Sequence, residues 1–186
     1  DLSTLLQTIA RQAANLLGTN MGGLFLVQPE SQTLELVAGY NQPDDCPGAT
    51  LNLGEGLAGR IAQTGEALMI ADYHQQTEQV TSIFDGYIGR ILGVPLKLRD
   101  RITGVLNVFD EKTGGFDEHK IRLLKLFAGQ AATIIENARL FEAEHEQREL
   151  AEALREVGAA LSATLEFDVV LDRLLVAQTR LLEQLA

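Results

Sequence analysis

Leu53-Gly54-Glu55-Gly56-Leu57-Ala58-Gly59-Arg60-Ile61-Ala62 is the stretch on which the reading of this chain turns. Gly54 and Gly56 give the backbone freedom for a sharp bend, and the apolar spacing that follows predicts a short helix ending near Gly65. Gly59 is expected to let that helix lie close to a sheet. A glycine-rich loop before a helix can also hold phosphate. This one carries Glu55 inside it and no following Lys-Ser or Lys-Thr, so a structural bend is the better reading.

On the N-terminal side, apolar residues at 2, 5, 6, 9, 10, 13, 16 and 17 form a helix stripe, with Gly18 as its stop. Gly23–Val27 is a short apolar run closed by Pro29, and Thr33–Ala38 begins with period-two alternation. Turn residues between them predict a hairpin. A loop holding Cys46 follows. On the C-terminal side, Ala67–Ile70 reads as a strand, and Asp72–Gly86 as loop with a short helix. Arg90–Leu98 and Ile102–Phe109 read as a second hairpin. Leu24 and Leu26 point opposite to Phe25 and Val27, so both faces of this sheet should be covered. Helices are expected on one face, and segments 54–65 and 72–89 on the other.

From Asp117 the pattern is helical, with an acid cap at Asp117 and Glu118 in the first turn. A single helix from Asp117 to Thr164 measures roughly 70 Å at about 1.5 Å per residue, too long to pack only on its own domain. Leu140, Ala143, Gln147, Leu150, Leu154, Val157 and Leu161 step by alternate threes and fours, a heptad seam that predicts a coiled coil and a homodimer. Asp1–Leu17 laid on Glu166–Leu182 matches in apolar phase: Leu2 on Phe167, Leu5 on Val170, Ile9 on Leu174, Leu17 on Leu182. The expected organisation is one domain over 1–141, a coiled-coil helix over 142–165, and over 166–186 the first helix of a second, truncated copy.

The formal charge of −11 at pH 7 leaves no basic face for nucleic acid. No apolar run reaches the roughly 18 residues of a membrane span, so no membrane contact is expected in this stretch. One cysteine cannot form an internal disulfide, and a cytoplasmic setting follows.

The glycine run, Gly93-Val94-Pro95-Leu96, Arg101–Val108, Phe116-Asp117-Glu118 and Ile135–Leu140 together resemble the GAF domain signature, in order and across about residues 1–141. The resemblance implies an α/β fold of the α+β type. Its six-stranded antiparallel sheet has helices on both sides, with first and last helices on one face and a small-molecule pocket on the other. Such domains sit in sensor histidine kinases, diguanylate cyclases, phosphodiesterases and transcriptional activators, and relay signals through a dimeric helical linker to an output domain in the same polypeptide. The chain is accordingly read as a regulatory module, not an enzyme, with a non-ligand-binding structural dimerisation module as the alternative. By position in the family, the ligand-binding residues are Asp72, Tyr73, His74, Phe84, Tyr87 and Asn107.

The ligand itself is unknown, and the sequence requires no cofactor. Asn107 is followed by Val108 and Phe116 directly by Asp117-Glu118, which departs from the pattern of cyclic-nucleotide-binding members. No cysteine precedes His74, as bilin attachment would require, and His74 alone is a weak haem ligand. Cys46 has no second thiol in the chain for the methionine sulfoxide reductase chemistry of one family branch. No Cys/His cluster has metal-ligand spacing.

Overall fold

The structure is a computed structural model that describes residues 1–42, 48–75 and 88–183, with side chains to residue 159. In chain order the elements are α1 (Leu2–Leu17), β1 (Met21–Gln28), β2 (Thr33–Tyr40), β3 (Thr50–Asn52), α2 (Gly56–Thr64), β4 (Leu68–Ile70), a 3-10 turn (Tyr73–Gln75), β5 (Arg90–Leu98), β6 (Arg101–Asp110) and α3 (Glu118–Glu183). The six strands form one sheet in the order β3-β2-β1-β6-β5-β4, and every neighbouring pair is antiparallel. The chain divides into two compact units, Asp1–Arg139 and Leu140–Ala186.

The first unit carries two apolar cores, one on each face of the sheet. Leu24, Leu26, Leu92, Val94, Leu96, Leu106 and Val108 face α1 and the start of α3, meeting Leu6, Ile9, Ala13, Leu17, Leu124, Ala128, Ala132 and Ile135. Phe25, Leu34, Leu36, Ile91, Val105 and Phe109 face α2, meeting Leu57, Ala58 and Ile61. Each large side chain taken fully out of water contributes about 1.5–3 kcal/mol, so each face is a substantial source of stability. The two-sided covering expected from the doubly apolar strands is present, and α2 supplies the described part of the second layer.

Two extra residues set the register. In β1–β2, Leu24 pairs with Ala38 but Phe25 with Leu36, which leaves Val37 as a bulge. The bulge switches faces: Leu34 and Leu36 belong to the α2 side, whereas Ala38 and Tyr40 pack on the α1 side. In β5–β6, Leu96 pairs with Gly104 and Lys97 with Ile102, leaving Thr103 unpaired in the ladder. The Thr103 hydroxyl donates back to the Leu96 carbonyl at 3.1 Å.

The helix ends follow local chemistry. Asp1 caps α1 by accepting the Ser3 N–H at 3.0 Å. Gly18 ends it at φ 69°, its N–H bonding back to the last turn. Asp117 caps α3 through the Lys120 N–H at 2.8 Å.

Gly59 lets α2 lie close to the sheet, as expected: a Cβ there would lie 2.4 Å from the carbonyl oxygen of Asn52, the last residue of β3, and 3.1 Å from the Gly54 nitrogen in the turn entering α2. The sheet also approaches α2 at Gly93, where a Cβ would come within 2.4 Å of Ile61 Cδ1 and 2.6 Å of Leu57 Cδ2. The short strand β3 was not separable from its surrounding loop by sequence.

Gly22 and Gly129 offer a contrast. A Cβ on Gly22 would stand 2.6 Å from the Ala10 carbonyl oxygen of α1, whereas one on Gly129 meets nothing within 4 Å. Gly22→Ala is expected to cost about 1–3 kcal/mol by forcing α1 off the sheet. Gly129→Ala should stabilise by about 0.5–1 kcal/mol through helix propensity. Denaturant unfolding of the two variants checks both signs.

Candidate functional site

The family resemblance places a ligand on the α2 face of the sheet, and the described residues show how that face is floored. One cross-strand row runs Gly39 (β2), Gly23 (β1), Asn107 (β6), Gly93 (β5). Asn107 is 3% exposed, flanked in its strand by Val105 and Phe109 of the α2-side core. Its Oδ1 leans over Gly93, 2.5 Å from where a Cβ would stand, and has no hydrogen-bond partner among the described residues. A buried acceptor left unpaired costs on the order of 1–3 kcal/mol. Gln42 lies across the other two glycines. Its Nε2 donates to the Gly22 carbonyl at 2.7 Å, and its Oε1 is likewise buried without a partner among the described residues.

Of the other expected ligand residues, three fall in and beside the 3-10 turn after β4. Asp72 is occupied locally, accepting the His74 N–H at 3.1 Å and Gln75 Nε2 at 2.7 Å. Tyr73 packs against the α2-side core and donates its N–H to the Gly89 carbonyl at 2.7 Å. His74 is exposed. The structure thus sets Tyr73 and Asn107 against the same apolar cluster, while His74 turns to solvent. Phe84 and Tyr87 lie outside the described residues, as does Cys46. Among the described residues no group of His, Cys, Asp and Glu is arranged to hold a metal ion.

The sequence reading did not single out a polar clasp on the opposite face. Arg90, at the start of β5, donates from Nε and Nη2 to Asp110, at the end of β6, at 3.1 and 3.0 Å. Asp110 is 1% exposed and also accepts the Lys112 N–H at 3.0 Å. The Arg90 guanidinium sits 4.5 Å above the ring of Phe116, just before α3. The Gly89 N–H donates to the Asp110 carbonyl at 2.8 Å. Asp110, through its carboxylate and its backbone carbonyl together, therefore joins the end of β6, the residues leading into β5 and the approach to α3. An opposite-charge pair directly across two strands, with an aromatic residue following, was the available signal.

A shallow cleft of about 170 Å³ opens elsewhere in this unit, lined by Gly65, Glu66, Ala67, Pro95, Lys97, Lys125 and Gly129. Lys97 and Lys125 are both exposed there. Solvated lysines beside Glu66 give it little power to select a ligand.

In the second unit, α3 exposes the expected seam. Leu140, Leu150, Leu154 and Val157 are 57–63% exposed, and Ala143 and Gln147 are exposed as well. Leu161 lies beyond the described side chains. Arg148–Glu144 at 2.7 Å is an exposed ion pair beside the seam.

A curled antiparallel sheet with paired helices on one face and a short helix over a buried amide on the other defines the architecture of an α+β domain. The chain belongs to the GAF domain family, whose sequence pattern matches residues 1–136. It is similar to the Nif-specific regulatory protein of Herbaspirillum seropedicae, 27% identical over 179 residues. That match takes in 92% of this chain and 32% of the relative, so the chain spans about a third of that protein's length. Among solved structures, the GAF domain of an Acinetobacter phosphoenolpyruvate-protein phosphotransferase superposes with a TM-score of 0.68 at 23% identity, covering 75% of this chain and 85% of that one. The free methionine-R-sulfoxide reductase of Neisseria meningitidis superposes at 0.63 with 22% identity, covering 75% and 81%. At these identities the structural likenesses establish the fold. Family and relative together make this a regulatory, sensory module. No helix among the described residues is long and apolar enough to cross a membrane.

Removing one partner of the buried pair strands the other. Arg90→Ala is expected to destabilise the domain by about 3–5 kcal/mol. Asn107→Leu, which deletes an unpaired acceptor, should leave the melting temperature unchanged or raised. Thermal unfolding of both variants tests the contrast.

Proposed function

We propose that this domain is the sensory relay of a larger regulatory protein. In this reading a small molecule bound on the α2 side of the sheet, near Tyr73, Asn107, Asp72, His74, Phe84 and Tyr87, biases the packing of α3. That change is read out as altered self-association of a homodimer through Leu140, Ala143, Gln147, Leu150, Leu154, Val157 and Leu161. The output domain lies in the same polypeptide. The hosts the family resemblance suggests include sensor histidine kinases, diguanylate cyclases and transcriptional activators, and the relative named above, a regulatory protein, supports a regulatory host.

The observation that carries the proposal is the exposed heptad seam. Leu150, Leu154 and Val157 follow one another at steps of four and three, with Leu140 on the same heptad seam ten residues before Leu150; each is more than half exposed, and a second copy of the helix would bury them. Charged residues beside it, such as Glu144 and Arg148, suit the rim of such a pair. For a ligand to act through it, the ligand must bind one packing arrangement more tightly than the other.

A structural dimerisation module without a ligand is the second reading. It is favoured by the way Leu57 and Ile61 of α2 close directly over Gly93 and Asn107.

The Leu150→Glu, Leu154→Glu double variant is expected to be monomeric by analytical ultracentrifugation at concentrations where the parent is dimeric. A dimer of undiminished affinity would refute the seam. Thermal shift against a metabolite panel separates the two readings. A ligand that raises the melting temperature and changes cysteine crosslinking along 140–161 supports relay, and a silent panel supports the spacer.

A further inference from the structure

We infer that Met69 is a site of oxidative modification, at which a peroxide-class oxidant converts an exposed thioether to the sulfoxide and releases the backbone approach to α3. This inference is independent of any ligand on the α2 face.

The chain has two methionines, and the fold treats them differently. Met21 is 9% exposed and belongs to the α2-side core, whereas Met69, on the edge strand β4, is 41% exposed. Its neighbours Leu68 and Ile70 pack on the α2-side core, so Met69 points to the other face. There its sulfur does structural work. Met69 Sδ accepts the backbone N–H of Phe116 at 3.0 Å. Gly115 makes the approach possible, since even a Cβ on it would sit 3.3 Å from Met69 Cε. The Gly114 N–H donates to the Ala71 carbonyl at 2.7 Å, so Met69 of β4 and the residue just past that strand hold this turn at two points.

The turn leads straight into α3. Phe116 is 6% exposed, its ring in the helix-side core beneath the Arg90 guanidinium, and Asp117 caps the helix. A change at the sulfur is therefore felt by the Phe116 amide, two bonds from a core side chain and one residue from the cap.

The chemistry balances with hydrogen peroxide as oxidant. The thioether sulfur attacks one peroxide oxygen, the O–O bond breaks and an S–O bond forms. Sulfur loses two electrons, and the second oxygen leaves as water. The product is polar and chiral where the reactant was apolar. At 3.0 Å there is no room for an oxygen between sulfur and the Phe116 nitrogen. An S–O bond formed toward the amide pushes it away, and one formed on the other lone pair draws electron density from the sulfur and weakens it as an acceptor. Either way the N–H···S contact is loosened.

The test uses the full chain carrying Cys46→Ser, so that the one thiol cannot answer for the methionine. After hydrogen peroxide treatment, peptide mass mapping should show Met69 gaining one oxygen about tenfold faster than Met21. Hydrogen exchange at the Phe116 amide should then accelerate about tenfold. Met69→Leu should begin with fast Phe116 exchange that peroxide changes no further. Equal oxidation of Met21, or complete Met69 sulfoxide with unchanged Phe116 exchange, overturns the inference. Both measurements on the Cys46→Ser chain decide the matter even if Met69→Leu folds poorly.

Discussion

A sheet whose central strands are apolar on both faces must be covered twice, and most of the first unit follows from meeting that demand. β1, β5 and β6 each present large aliphatic or aromatic side chains to both sides. One layer would leave Phe25, Val105 and Phe109, or else Leu24, Leu92 and Leu106, in water. α1 and the start of α3 close one face with a surface rich in alanine, which lets the helices lie close to the strands. α2 closes part of the other. Because it is only Gly56–Thr64 in length, it depends on glycine at both ends and on Gly93 beneath it.

The two covering layers also differ in length. The helix-side core is made of long, regular elements. Among the described residues the opposite face is covered by the 9-residue α2 and a 3-10 turn. Asn107 puts a buried hydrogen-bonding group under that shorter layer. The Arg90–Asp110 clasp ties this face to the other, since Gly89 and Tyr73 are joined in a backbone chain to Asp110, and Arg90 covers Phe116.

Much of this was legible in the residues. The α1 stripe and its Gly18 stop, both hairpins, the helix after Gly54 and the Asp117 cap depend on local periodicity and backbone chemistry, which sequence records directly. What stayed hidden depends on pairing across distance. β3 is three residues long, too short to show alternation, and exists because Leu51 meets Leu34. The contact of Gly59 with Asn52, the Arg90–Asp110 pair and the Met69–Phe116 bond join residues that only the folded sheet brings together. At the candidate site, Asn107 could be placed on a strand, but its unpaired carbonyl and the glycine row around it required coordinates. Phe84 and Tyr87, named from the family pattern, lie outside the described residues.

The Val37 bulge has a consequence for how this domain tolerates change in length. Upstream of it, even-numbered residues of β2 serve the α2 face; downstream, even-numbered residues serve the helices. Loss of Val37 itself would restore uniform pleating and leave both sides as they are, with Leu36 still toward α2 and Ala38 and Tyr40 still toward the helices. Loss of a residue from the regular part of β2 would instead turn the neighbouring side chains over to the wrong face. Val37 is therefore a place where this strand can shorten without exchanging its two sides.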